Sequence, residues 1–110
     1  MIEEIIKSYL NRNLLVPAFL ETEDIMPKRY VLFEKTGSSK KNCINGTTFT
    51  FQSYAESLYE AAKLNEEVKT VVENLIVLNE ISKAKLVTDY NYTDNSTKKY
   101  RYQAVFDIKY

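Results

Sequence analysis

The chain reads as an α+β domain: a four- to five-stranded, mostly antiparallel sheet packed against one long helix and a short amino-terminal helix. Three observations carry this. Residues 47–54 alternate apolar and polar, with Phe49 and Phe51 on one side and Thr50 and Gln52 on the other, the period of a half-buried strand. Directly after them, Leu58, Ala61, Ala62, Leu64, Val68, Val71, Val72, Leu75 and Ile76 recur at helical spacing, opposite a face bearing Glu60, Lys63, Glu66, Glu67, Lys69, Thr70, Glu73 and Asn74. After that helix, residues 84–93 and 99–109 alternate again on both sides of Asp94–Thr97, which describes an antiparallel hairpin with one wet face.

Taken in order, residues 2–12 form an amphipathic helix with Ile2, Ile5, Ile6, Tyr9 and Leu10 on one stripe, and Asn11 and Asn13 serve as stop residues. Residues 15–20 are apolar, but Pro17 removes a ladder donor and places them at a sheet edge or in extended coil. Glu21–Arg29 is a polar connection punctuated by Pro27, and 30–36 is a strand rich in β-formers. Residues 37–46, GSSKKNCING, read as a mobile polar loop, long for a hairpin, with a tight turn available at Asn45–Gly46. The strand at 47–54 then enters the long helix, placed at 58–78, through a capping box at Ser57–Glu60, with a second box at Ser53–Glu56. Such a helix is roughly 30 Å long at 1.5 Å per residue, about the width of the whole domain.

A length of 110 residues implies one domain. With 45% apolar and 27% charged residues, the composition is that of an ordinary soluble globular chain. Fifteen cations balance fifteen anions, so no overall field draws nucleic acid or an anionic membrane. No apolar run approaches a membrane span, the amino terminus lacks the layout of an export signal, and a single cysteine suits a reducing cytoplasm. Three glycosylation-type triplets, at Asn45, Asn91 and Asn95, read as chance in a chain rich in Asn and Thr.

The same inventory narrows the chemistry. Without histidine, a Ser-His-Asp or Cys-His arrangement is excluded within the chain, and zinc lacks its usual ligands. Cys43, near Lys40 and Lys41, reads as an incidental loop thiol, and Glu21, Glu23 and Asp24 as a solvated connection rather than a cation site. Neither glycine belongs to a phosphate-cradling pattern. No catalytic residue, cofactor site or metal site is expected, and the chain reads as a non-enzyme. The basic pairs Lys40–Lys41 and Lys98–Lys99 mean little singly but gain weight if repeated around a ring.

Nine tyrosines remain. Tyr90, Tyr92, Tyr100 and Tyr102 are expected to cluster on one shared face at the turn end of the last hairpin. Strand 99–109 would span roughly 37 Å, against a domain diameter of about 34 Å, so the hairpin is expected to overhang its core. An overhanging aromatic ribbon and open strand edges ask for a partner, and self-association is the economical one. Tyr90, Tyr92, Tyr100, Tyr102, Lys40 and Lys41 are therefore the candidate interaction residues.

The segments LLVPAFLETEDIMPKRYVLFEKTG (14–37), TTFTFQSYAESLYEAAKLNEEVKTVVENL (47–75) and YRYQAVFDIKY (100–110) resemble the tail-completion proteins of long-tailed bacteriophages, the tail terminators, tail-to-head joining and minor tail proteins. The likeness lies in order and texture: a "vP-x-x-L-E" edge, a strand ending in a loop, "F-Q-S-Y-A" running into a helix, and a closing hairpin with "Y-R-Y-Q". It implies a structural virion protein, assembled in the host cytoplasm. Its copies would form a ring, in that family a hexamer, that caps the tail tube and joins it to the head connector. The partners implied are further copies, the major tail tube protein and the head connector or head-completion protein, with nucleic acid only passing through the lumen. By position, the contacts would fall to loop 37–46 and the tyrosine hairpin. The competing expectation is a small cytoplasmic ligand-binding or regulatory module that dimerises through its sheet.

Overall fold

A computed structural model describes the backbone of every residue except 42–43 and the side chains of every residue except 38–45. The expectations for Cys43 and for the side chains of Lys40 and Lys41 lie outside the described residues. The elements run α1 (Ile2–Asn13), β1 (Ala18–Phe19), β2 (Tyr30–Lys41), β3 (Ile44–Ala55), α2 (Leu58–Glu73), a 3-10 turn (Asn74–Val77), β4 (Lys83–Asn91) and β5 (Tyr100–Lys109). The fold is α+β: the five strands form one mixed sheet in the order β1-β2-β3-β5-β4, antiparallel except where β1 joins β2.

Both helices pack on the same side of this sheet. The core joins Ile2, Ile6, Tyr9 and Leu10 of α1 and Leu64, Val68 and Val72 of α2 to Val31, Phe33, Phe49, Phe51, Ala104, Phe106 and Ile108 of the strands. Phe51 is its centre, stacked on Phe33 at 5.6 Å and meeting Phe106 edge-on at 5.7 Å. Truncating such a ring to alanine costs about 3–5 kcal/mol, so this layer fixes which side of each strand turns inward.

The local signals act as expected at several points. The Ser57 hydroxyl accepts from the Glu60 amide at 3.2 Å, supplying one of the donors that a helix start leaves unpaired. Pro17 sits just before the edge strand and gives its carbonyl to the Val31 amide at 3.0 Å. Asn11 closes the outer side of β1, its Oδ1 accepting from the Ala18 amide at 3.0 Å.

Four expectations need correction. The segment 37–46 is not a loop: β2 continues to Lys41 and β3 starts at Ile44, with Gly37 opposite Thr48, Ser39 opposite Gly46 and Lys40 opposite Asn45. Asn45 and Gly46 are therefore ladder residues, not a turn. A backbone ladder can extend polar residues when its partner strand is already aligned by a core, and Phe49, Phe51 and Phe33 supply that alignment. The long helix ends at Glu73 rather than 78, because the next turn tightens to 3-10 and leaves Ile76 and Val77 exposed. The last hairpin does not overhang: β5 pairs with β3 from Tyr100–Ala55 to Lys109–Gly46. It is the β2–β3 arm that runs past β5, along the 44 Å long axis of the molecule.

Candidate functional surface

The fourth correction concerns the tyrosines. Ala84 and Leu86 of β4 lie opposite Ile108 and Phe106, on the helix side, but the register shifts at Val87, so that Thr88 faces Val105 and Tyr90 faces Gln103. The extra residue turns every later side chain of β4 to the other face. Tyr90 and Tyr92 consequently stand on the side of the sheet away from the helices, while Tyr100 and Tyr102 stay on the helix side, half-buried. The four expected to share a face are split two and two.

The bulge also brings Asp89 inward, against α2. Its Oδ2 accepts from Asn65 Nδ2 and from Lys69 Nζ, each at 2.9 Å, and Lys69 also pairs with Glu66 at 2.9 Å. Lys69 thus leaves the solvent face to which helical spacing assigns it. Burial pulls its ammonium pKa down, but the hydrogen bonds and charges of Glu66 and Asp89 together outweigh that and leave it above the ordinary value. This polar contact holds the last part of β4 against the helix.

On the helix-free side the strands present a closed circuit of side chains. Arg101 Nη1 donates to the Tyr54 hydroxyl at 2.8 Å, and that hydroxyl donates to Gln52 Oε1 at 3.1 Å. Gln52 Nε2 donates to Gln103 Oε1 at 2.8 Å, and Gln103 Nε2 donates to the Tyr90 hydroxyl. Tyr90 meets Tyr92 edge-on at 5.9 Å, and the Tyr92 ring lies under the Arg101 guanidinium at 4.6 Å, which closes the circuit. Arg101 is also anchored through Nε to the Tyr92 carbonyl at 2.7 Å.

The aromatic surface continues toward β2. Tyr30 stacks on Tyr54 at 4.5 Å, and Phe19 meets Tyr30 edge-on at 6.1 Å. Burial raises the Tyr30 phenol pKa, Tyr54 adds to that, and Arg101 partly opposes it. Although no helix covers this side, Tyr30, Tyr54 and Gln103 are each at most 8% exposed, buried by one another. Tyr90 and Tyr92 keep 40% and 43% of their surface open, and Val87 55%. Around the circuit, the accessible apolar area lies along the outer strand, β4, and the residue after it; elsewhere Leu15, Ile25, Tyr59 and Val77 are more exposed still.

Beside Tyr30 and Tyr54 the surface opens into a cleft of about 530 Å³, bounded by the loop carrying Glu23, Asp24 and Met26, by Glu56 and by Lys98, Lys99 and Tyr100. Its carboxylates and ammonium groups are interspersed. Among the described residues, no three Cys, Asp or Glu side chains gather as metal ligands would, and no helix is long and apolar enough to cross a membrane.

Of the candidate interaction residues, Tyr90 and Tyr92 belong to the circuit. Tyr100 borders the cleft, Tyr102 does neither, and the backbone of Lys40 and Lys41 lies far up the β2–β3 arm. Gln52, Tyr54, Arg101 and Gln103 complete the surface and were not among those residues. Their signal was present in the alternation, which places all four on the polar side of their strands. The fold defines an α+β domain with one helix-covered and one open aromatic side. Compared with protein-family models and with curated protein sequences, the chain gives no match to either.

Proposed function

We propose that this protein is a non-catalytic structural subunit that acts by joining copies of itself, as a ring-forming tail-completion protein of a long-tailed bacteriophage. The occupant of the open side and of the β4 edge is then a neighbouring copy, and the assembled ring meets the tail tube and the head connector. The observation that carries this is the placement of two open strand borders on opposite sides of one sheet. The border of β4 is open throughout, and that of β2 is open above the short stretch that β1 covers. Two unlike borders on one subunit suit a head-to-tail contact, and such contacts generate rings when the rotation closes. Tyr90, Tyr92 and Val87 add apolar area beside the first border, in the residue types that interfaces favour.

The test is the mass and symmetry of the protein mixed with purified tail tubes, by mass photometry and electron microscopy. A ring at the tube end is the expected result. A strict monomer in the presence of tubes overturns the reading.

The cleft at Tyr30, Tyr54 and Tyr100 favours a second reading, a small ligand-binding module, because its volume lies in the range of ligand sites. Saturable binding of a small molecule, lost on Tyr100→Ala, would distinguish it from the first.

A further inference from the structure

On the open side, at the end of the sheet where the β2–β3 arm departs, two lysines stand directly across from each other. Lys83 of β4 pairs with Lys109 of β5, and Lys85 follows two residues along the same face. Like charges directly opposite each other destabilise a sheet, so the arrangement works against the fold that contains it. Lys69 pairs with Glu66 and Asp89, Lys35 with Glu3, and Arg29 with Glu56 and Glu60, whereas these three lysines gather at one place. Among the described residues, Lys83, Lys85 and Lys109 make no ion pair. The acid beside them, Asp107, accepts from the Thr48 hydroxyl at 3.2 Å.

These lysines border a cleft of about 430 Å³, and both glycines of the chain, Gly37 and Gly46, line it. Gly37 has no positive φ to require glycine, and a Cβ built on it would meet nothing within 4 Å. Its lack of a side chain leaves this part of the cleft open, beside the register shift of β2 between Lys35 and Gly37. The arm that carries Lys40 and Lys41 rises from the same end.

We propose that this cleft binds the phosphate groups of duplex DNA, with Lys83, Lys85 and Lys109 as the phosphate contacts. Lys83 and Lys85 are about 6.8 Å apart along the strand. That spacing is of the order of the separation between successive phosphates along one DNA strand, which rise about 3.4 Å of axis each while also turning about it. Lysine heads are mobile point charges, so the site reads backbone charge and not base sequence. An evenly charged chain then holds DNA through one local basic cleft. The inference stands apart from the ring reading, because an isolated subunit suffices to test it.

The experiment is fluorescence anisotropy of a short labelled DNA duplex with the full chain, between about 50 and 200 mM salt. Three phosphate contacts give a slope of about −2.7 in log affinity against log salt, and the double variant Lys83→Gln/Lys109→Gln reduces it to about −0.9. The double variant keeps its melting temperature or gains, since a like-charge pair is removed, which separates lost binding from lost folding. Gly37→Phe weakens binding without changing charge, and Lys7→Gln/Lys63→Gln leaves it unchanged. Wild-type slope and affinity in the Lys83→Gln/Lys109→Gln protein overturn the proposal. So does displacement of DNA by tripolyphosphate at equal phosphate concentration, which marks a site for small phosphates, or by polyglutamate, which marks one for acidic protein segments.

Discussion

The side-chain amide of Gln103 donates to the hydroxyl of Tyr90 directly across the strand pair, a contact that exists because β4 holds one extra residue at Val87. That residue has two effects at once. It turns Tyr90 and Tyr92 outward to complete the circuit around Arg101, and it turns Asp89 inward to meet Asn65 and Lys69. The buried polar contact and the exposed aromatic one are two faces of a single irregularity.

Asp89→Ala tests the inward half. It leaves the Asn65 amide and the Lys69 ammonium without their shared acceptor, with an expected loss of about 2–4 kcal/mol, read from urea denaturation. Adding Lys69→Met recovers part of that loss, because a largely buried charge left with only the exposed Glu66 as partner is then replaced by a packed chain.

Arg101→Met tests the outward half. One charged hydrogen bond to Tyr54 and the contact with the Tyr92 ring disappear, an expected cost of about 1–2 kcal/mol. The chain contains no tryptophan, so tyrosine emission reports the change directly. The melting temperature falls by about 5–10 °C.

Stability declines in alkali, and two groups set where. The Lys69 pKa is raised in the fold above its ordinary 10.5, so the stability it contributes is complete below that pH and is lost as pH rises through the folded value. The Tyr30 phenol is also raised, above 10.0, and here too the unfolded chain gives up its proton first, so the fold loses ground above pH 10.0. The two add in the same direction. Urea midpoints across this range are expected to fall more steeply in the wild type than in Tyr30→Phe.

Lys98 occupies the left-handed region, φ 55°, within the Asp94–Lys99 turn. A side chain there costs about 1–2 kcal/mol, partly offset by the extra freedom that glycine has when unfolded. Lys98→Gly therefore stabilises by about 0.5 kcal/mol, measurable as a higher urea midpoint. The same turn holds Asp94, whose carboxyl is brought down to about 2 by hydrogen bonds from Ser96 and Thr97. Since this pKa is depressed, its contribution is present above 3.8 and is lost as pH falls toward 2, which an NMR titration of the Ser96 amide follows.

Much of this fold is legible in the sequence because alternation and helical spacing record which side of each element meets a core. The strands around Phe33, Phe49, Phe51 and Phe106, the Ser57 cap and the edge position after Pro17 all carry such a record. The β2–β3 arm does not, since Lys40–Lys41 and Ile44–Asn45 pair beyond β5, where a ladder needs no apolar period. A bulge is harder still. On each side of Val87 the alternation is intact and only the phase changes, so Tyr90 and Tyr92 fall in sequence on the same period as Leu86. The adjacency of two apolar residues, Leu86 and Val87, was the sole trace of it. Lys69 is illegible for a different reason: its place at helical spacing says nothing of a carboxylate arriving from a strand twenty residues later.

The two-residue strand β1 has a consequence of its own. It occupies the border of β2 at Val31 and Leu32 and nothing above them. A strand laid along that border is stopped at Phe33 as by a doorjamb. It could seat only on the upper part, toward the arm, and would be displaced lengthwise from the subunit it joined. A stack built by repeating that joint would inherit the same offset at each step and so acquire a slant, whose direction is set by a cover no longer than Ala18 and Phe19.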